Sequence, residues 1–181
     1  MNINKYIDHT ALKSGVTENE IKTLCSEAIK YNFKSVCVNP CDVALCYSIL
    51  KDTDIKVCTV IGFPLGKNST EIKVLEVKQA LIDGATEFDM VINVAKLKEK
   101  DYAFVENEIK RVIDASNGNV VKVIIETGLL SDEEIAIVTQ IVCKAGADFV
   151  KTCTGFTGGV ATEQAVNIMK NNLSGKTLIK E

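Results

Sequence analysis

No run or cluster of basic residues occurs in the 181-residue chain; 21 Lys and Arg stand against 24 Asp and Glu, for a net charge of -3. A nucleic-acid surface needs clustered cations, so that partner class is not expected. No apolar stretch approaches the ~18 residues of a membrane span. The segment from Met1 to Asp8 lacks the apolar core of a signal peptide, which makes a cytoplasmic location the default expectation. There is a single histidine, His9, and no nucleophile elbow, so a Ser-His-Asp or Cys-His hydrolase has little to be built from. Cys-x-x-Cys pairs are absent, and with them the usual zinc-ligand spacing. The seven cysteines, Cys25, Cys37, Cys41, Cys46, Cys58, Cys143 and Cys153, are odd in number, which argues against a complete disulfide framework. They read as small buried hydrophobes in a reducing compartment.

What is present is an alternation of short β-branched runs and amphipathic segments. Strands are expected at Tyr6–Thr10, Ser35–Asn39, Lys56–Ile61, Glu87–Asn93, Val120–Glu126, Asp148–Cys153 and Thr177–Lys180. Helices are expected at Thr17–Tyr31, Cys41–Leu50, Ser69–Ile82, Lys98–Ala115, Ser131–Cys143 and Ala161–Asn171. Thr17 with Glu20, and Ser131 with Glu134, have the spacing of N-terminal capping boxes. Gly84-Ala85-Thr86 and Gly146-Ala147-Asp148 each follow a helix and precede a strand, as a repeated helix-to-strand turn. The alternation predicts an α/β fold with a parallel sheet in one domain spanning residues 1–181. A doubly wound sheet and a TIM (β/α)8 barrel both fit. The Gly-rich turn of a dinucleotide fold is missing after the first strand, which lowers the doubly wound option.

Inward residues in the C-terminal half of a barrel strand line the usual active-site face. Alternation proposes Asp8 and Thr10, Cys37 and Asn39, Asp89 with Val91 and Asn93, Lys122 with Ile124 and Glu126, and Phe149 with Lys151 and Cys153 as same-face sets. The unusual feature is lysine at the end of apolar strands, in Phe149-Val150-Lys151 and Leu178-Ile179-Lys180. Lysine is rarely buried unless paired. Such a residue is either a catalytic amine or a structural ion-pair partner, and Lys122, at mid-strand, reads as an ion-pair element beneath the site. A Schiff-base lysine must be neutral to attack a carbonyl. A second ammonium and partial burial both favour the neutral form. A carboxylate is then needed to move protons. Two lysines and an aspartate on neighbouring strands form such a set.

Six motifs occur in order: Ile7-Asp8-His9-Thr10, Val36-Cys37-Val38-Asn39-Pro40, Val60-Ile61-Gly62-Phe63-Pro64, Glu87-Phe88-Asp89-Met90-Val91, Val123-Ile124-Ile125-Glu126-Thr127 and the run from Gly146 to Phe156. By these motifs the chain resembles the deoxyribose-phosphate aldolases, class I aldolases with a TIM barrel, from end to end. The resemblance implies reversible cleavage of 2-deoxy-D-ribose 5-phosphate to D-glyceraldehyde 3-phosphate and acetaldehyde. It implies no metal and no organic cofactor. Lys151 resembles the Schiff-base lysine, Lys180 the lysine that depresses its pKa, and Asp89 the aspartate that shuttles protons. Asp8, Thr10 and Cys37 match substrate-side positions, and Thr154 and Gly155 the start of a loop near the phosphate. Cys153 stands where related chains usually carry serine. The implied partners are small phosphorylated sugars and aldehydes, with neither nucleic acid nor membrane, and a homodimer is an open expectation.

Family members continue with a Gly-Gly turn, a helix, an eighth strand and a Gly-Ser phosphate cradle. The chain is therefore expected to hold seven barrel strands, without the last strand and helices. Thr157-Gly158-Gly159 could offer backbone N–H groups at the start of the following helix, or serve only as a flexible loop. Beside the aldolase reading stand a non-catalytic remnant or sugar-phosphate binding module of the same fold, and a transaldolase-like lysine aldolase with another donor.

Overall fold

In the computed structural model, which describes residues 2–181, seven strands alternate with helices. The strands are β1 (Asp8–Ala11), β2 (Ser35–Val38), β3 (Lys56–Ile61), β4 (Glu87–Val91), β5 (Val120–Ile124), β6 (Phe149–Lys151) and β7 (Leu178–Lys180). Their order in the sheet is β1-β2-β3-β4-β5-β6-β7, and the pairs β1–β2, β2–β3, β5–β6 and β6–β7 are parallel. A doubly wound sheet reverses its strand order at a switch point. This sheet never reverses, so the TIM (β/α)8 class is the one realised, with seven strands in this chain.

The chain divides into two compact units, the residues up to Val60 with Lys78–Phe88, and Ile61–Val77 with Asp89–Glu181. In the first, helix α1 (Glu18–Tyr31) starts at the Thr17–Glu20 capping box and buries Ile21, Leu24, Cys25 and Ala28, one stripe of a 3.6-residue period. Helix α2 (Val43–Leu50) follows a 3-10 turn at Pro40–Asp42 and buries Val43, Cys46 and Leu50. Cys25, Cys37, Cys46 and Cys58 are buried as expected, whereas Cys41 is exposed and Cys143 and Cys153 are half-buried; all seven are free thiols.

Helix α3 (Thr70–Ile82) has residues in both units, up to Val77 in the second and from Lys78 in the first. The second unit adds α4 (Val94–Lys98), α5 (Tyr102–Ala115), α6 (Asp132–Ala145) and α7 (Glu163–Asn171). Helix α6 has the expected Ser131–Glu134 capping box and ends on Gly146 at φ 88°. The apolar faces of α5, α6 and α7 cover the sheet with Val105, Ile109, Val112, Ile135, Val138, Val142 and Met169.

Several expected boundaries move, each for a local reason. The first strand begins at Asp8 because Ile3–Tyr6 forms a 3-10 turn capped by Asn2. The helix expected over 98–115 starts only at Tyr102, and a separate short helix, not expected, occupies Val94–Lys98 before it. Asn93 Oδ1 accepts from Lys96 N at 3.3 Å and Asp101 Oδ1 from Phe104 N at 3.2 Å, so each helix starts at its own cap. Lys100, at φ 60°, makes the break between them. The Asn93 cap also ends β4 at Val91. β5 ends at Ile124 because Glu126 turns left-handed at φ 57°. β6 is confined to Phe149–Lys151, and α7 starts at Glu163 behind its cap Thr162 rather than at Ala161.

Candidate active site

Strand register sets the site. Ile124 pairs with Lys151 and Lys151 with Lys180, so in this parallel sheet all three side chains leave the same face. Lys122, two residues before Ile124, shares that face. The four apolar strands thus present three lysines and one aspartate, Asp89 on β4.

Asp89 joins the two central lysines. Its Oδ1 accepts from Lys122 Nζ at 2.9 Å and its Oδ2 from Lys151 Nζ at 2.5 Å. The carboxylate is 1% exposed, Lys122 3% and Lys151 18%, so Lys151 is the one that reaches toward solvent. Burial pushes the Asp89 carboxyl up. Lys122, then Lys151, outweigh it and hold the group down at about 2. Asp89 is therefore a resting carboxylate at neutral pH. The sequence pointed to two lysines and an aspartate as one set and to Lys122 as an ion-pair element; this carboxylate pairs with Lys122 and with Lys151. Lys180 is half-buried at the register position beside Lys151, and its carbonyl accepts from Thr152 N at 3.1 Å.

Thr154 and Gly155 open the loop after β6. Glu126, 1% exposed, accepts from Thr154 N on both carboxylate oxygens, at 3.3 and 3.2 Å, and from the Thr154 hydroxyl at 2.6 Å. Thr154 was expected as a substrate contact; in the structure both its donors are engaged by Glu126. A cavity of about 450 Å³ adjoins this region, walled mainly by the apolar Pro64, Leu65, Val91, Val94 and Leu129, with Glu126 at its edge. Val91 stands two residues beyond Asp89 on β4, so the apolar chamber opens on the C-terminal side of the charged trio, where active sites of this architecture lie.

Asp8, Thr10 and Cys37 belong to the first unit. Asp8 pairs in register with Ser35 and accepts from its hydroxyl at 2.7 Å; exposed Thr10 pairs with buried Cys37. These side chains share one face of their strands, as alternation required.

One buried group went unseen in the sequence. Lys73 of α3 and Glu108 of α5 form an ion pair of 2.8 Å with both side chains fully buried. Lys73 Nζ also donates to Gly66 O at 3.0 Å and Val91 O at 2.8 Å, while Glu108 Oε2 accepts from Asn93 N at 3.1 Å. The pair thereby anchors the loop after β3 and the end of β4, next to Asp89. Burial pulls the Lys73 pKa down, against the opposing pull of Glu108. The available signal was a charge on each apolar stripe: Lys73 with Val77 and Ala80, Glu108 with Val105, Ile109 and Val112.

The family model for DeoC/LacD family aldolases matches residues 3–177. This chain belongs to that aldolase family. A deoxyribose-phosphate aldolase of Finegoldia magna is 54% identical over 180 residues, 99% of this chain and 84% of the relative. A solved aldolase structure is 41% identical with a TM-score of 0.93, covering 98% of this chain and 79% of the other. The tetrameric deoxyribose phosphate aldolase from Aeropyrum pernix is 28% identical with a TM-score of 0.85, over 98% of this chain and 75% of that one. Among the described residues no helix is long and apolar enough to cross a membrane.

Proposed function

We propose that this member of the aldolase family reversibly cleaves 2-deoxy-D-ribose 5-phosphate to D-glyceraldehyde 3-phosphate and acetaldehyde, through an imine on Lys151. The observation that carries the reading is the buried Asp89 carboxylate bound to Lys151 and Lys122, with Lys180 in register beside Lys151. Lys151 is the amine of the trio with access to a substrate. Its attack on the sugar aldehyde gives a carbinolamine and, after loss of water, an imine. Breaking the C2–C3 bond needs the imine protonated as the electron sink and a base for the C3 hydroxyl proton; it leaves an enamine, which is protonated at C2 and then hydrolysed to release acetaldehyde and the free amine.

Asp89 has the means to serve both steps. At rest two ammoniums hold it as a weak base. Neutralising Lys151 for attack removes one of those charges, so the carboxylate grows more basic when a proton must be taken up. Lys122 stays in place and keeps it from being stranded as a lone buried charge. Lys180 contributes like-charge repulsion that favours the neutral Lys151 amine. Asp8, Thr10, Cys37, Thr154 and Gly155 are the proposed substrate-side residues, Thr154 acting through its loop. The reading includes one barrel domain over residues 1–181, a cytoplasmic location, and a homodimeric assembly that light scattering would read.

The test is direct: purified protein with deoxyribose 5-phosphate, scored for glyceraldehyde 3-phosphate release. Wild-type protein should release it, and Asp89→Asn should lose at least about a hundredfold in kcat, the scale of general acid–base catalysis. Full activity in Asp89→Asn would overturn the role of the carboxylate.

A further inference from the structure

Glu126 is a buried carboxylate that no step above uses. Its backbone sits at φ 57°, a left-handed conformation that a non-glycine residue adopts only under strain. That strain aims the carboxylate at the loop after Lys151 rather than along the sheet. Three hydrogen bonds tie it to Thr154, and the Thr154 hydroxyl oxygen in turn accepts from Phe156 N at 3.1 Å. The two loops also touch backbone to backbone. A Cβ built on Gly128 would meet the Gly159 Cα at 2.6 Å, and one on Gly159 would lie 3.4 Å from Glu126 Oε1. Both donors of Thr154 are thus spent on an anion of the protein itself. Gly155, the next residue, has φ 76° and nothing within 4 Å of where a Cβ would be, so an approaching ligand has room there. Glycine-rich loops that precede a helix suit phosphate through such backbone N–H groups, and this one leads into α7.

We propose that Glu126 is a positioning residue for phosphorylated substrate: it latches Thr154, so that the Gly155 backbone, and not Thr154, meets the phosphate. The proposal rests on the sugar-phosphate reading above. It assigns Glu126 to substrate affinity and leaves imine formation to Lys151.

Glu126→Gln keeps the shape but offers the two Thr154 donors one acceptor oxygen instead of two. Thr154→Val removes the hydroxyl from the other side and is the milder variant should Glu126→Gln fail to fold. Steady-state kinetics on deoxyribose 5-phosphate should show KM raised about tenfold in each, the loss of roughly one charge-assisted hydrogen bond. The fall in kcat, and in borohydride trapping of acetaldehyde at Lys151, should be far smaller. Thr154→Ser should recover most of the affinity, and the double variant should be no worse than the worse single. On unphosphorylated 2-deoxyribose the KM penalty should vanish. An unchanged KM in both single variants overturns the latch. So does an equal penalty on both sugars, which would mark Glu126 as a fold element only. Wild-type protein that does not cleave deoxyribose 5-phosphate at all overturns the functional reading instead, a result separable from the failure of the latch.

Discussion

Lys73→Met removes a buried ammonium and leaves its partners in place. Lys73 Nζ serves three acceptors: Glu108 Oε1 at 2.8 Å, Val91 O at 2.8 Å and Gly66 O at 3.0 Å. In the variant Glu108 keeps one donor, Asn93 N at 3.1 Å, and two carbonyls lose theirs. Removing one partner of a buried ion pair costs about 3–5 kcal/mol. The stranded carboxylate is the larger part of that cost, and the two carbonyls, at about 1 kcal/mol each, make up the rest. A loss of about 4 kcal/mol is expected in urea unfolding at neutral pH, or a Tm lowered by about 8–16 °C for a chain of this size. The double variant K73M/E108L separates this pair from an ordinary one. Replacing both members of a buried pair by apolar residues is often neutral. Here it would still strand Asn93 N, Gly66 O and Val91 O, so a loss of about 2–4 kcal/mol should persist. A K73M cost below about 1 kcal/mol, or a double variant as stable as wild type, would refute the view that this pair anchors the β4 end beside Asp89.

The acid limb of stability should carry the mark of Asp89. Its folded pKa lies below its ordinary 3.8, at about 2, so its contribution is complete above the ordinary value and fades as pH falls from about 4 to 2. That difference amounts to about 2 kcal/mol, and urea midpoints across the window should steepen less in Asp89→Asn; identical acid slopes would remove the carboxylate from the account. Lys180→Ala should slow imine formation near neutral pH and recover part of it at higher pH, because a positive neighbour no longer favours the neutral amine; a rate loss independent of pH would make Lys180 a packing element. The one-domain reading expects near-UV and far-UV circular dichroism to report a single coincident unfolding transition. Two separated transitions would show the compact units unfolding independently.

The sequence made the alternation and the lysine placement legible because both are local signals. Period-2 patterning put Lys122 and Lys151 on their faces, and the capping boxes at Thr17 and Ser131 needed only four residues each. Barrel and doubly wound sheets differ in strand order, which no local pattern encodes; the sequential order decided it. Which lysine takes Asp89 was open for the same reason, and the carboxylate takes Lys122 and Lys151 together, by separate oxygens. Helix α4 was missed because Asn93 was read as the last inward residue of the fourth strand, and the start of α5 because Asp101 reads as an ordinary polar residue until its cap is seen. Glu126 looked like the last residue of β5; its left-handed backbone and its hold on Thr154 show only in the tertiary structure, where Gly128 and Gly159 also lie against each other. Lys73 and Glu108 lie 35 residues apart, and only the tertiary fold shows that each neutralises the other.

The central claim is that Lys151 is the imine-forming amine. Incubation with acetaldehyde and borohydride, followed by peptide mapping, tests it most directly, because reduction freezes the imine where it forms. In folded protein the label should sit on Lys151 above every other lysine, and Lys151→Ala should abolish it at any pH. Label spread evenly over the surface lysines, or concentrated on Lys122 or Lys180 with Lys151 unmodified, would contradict the assignment.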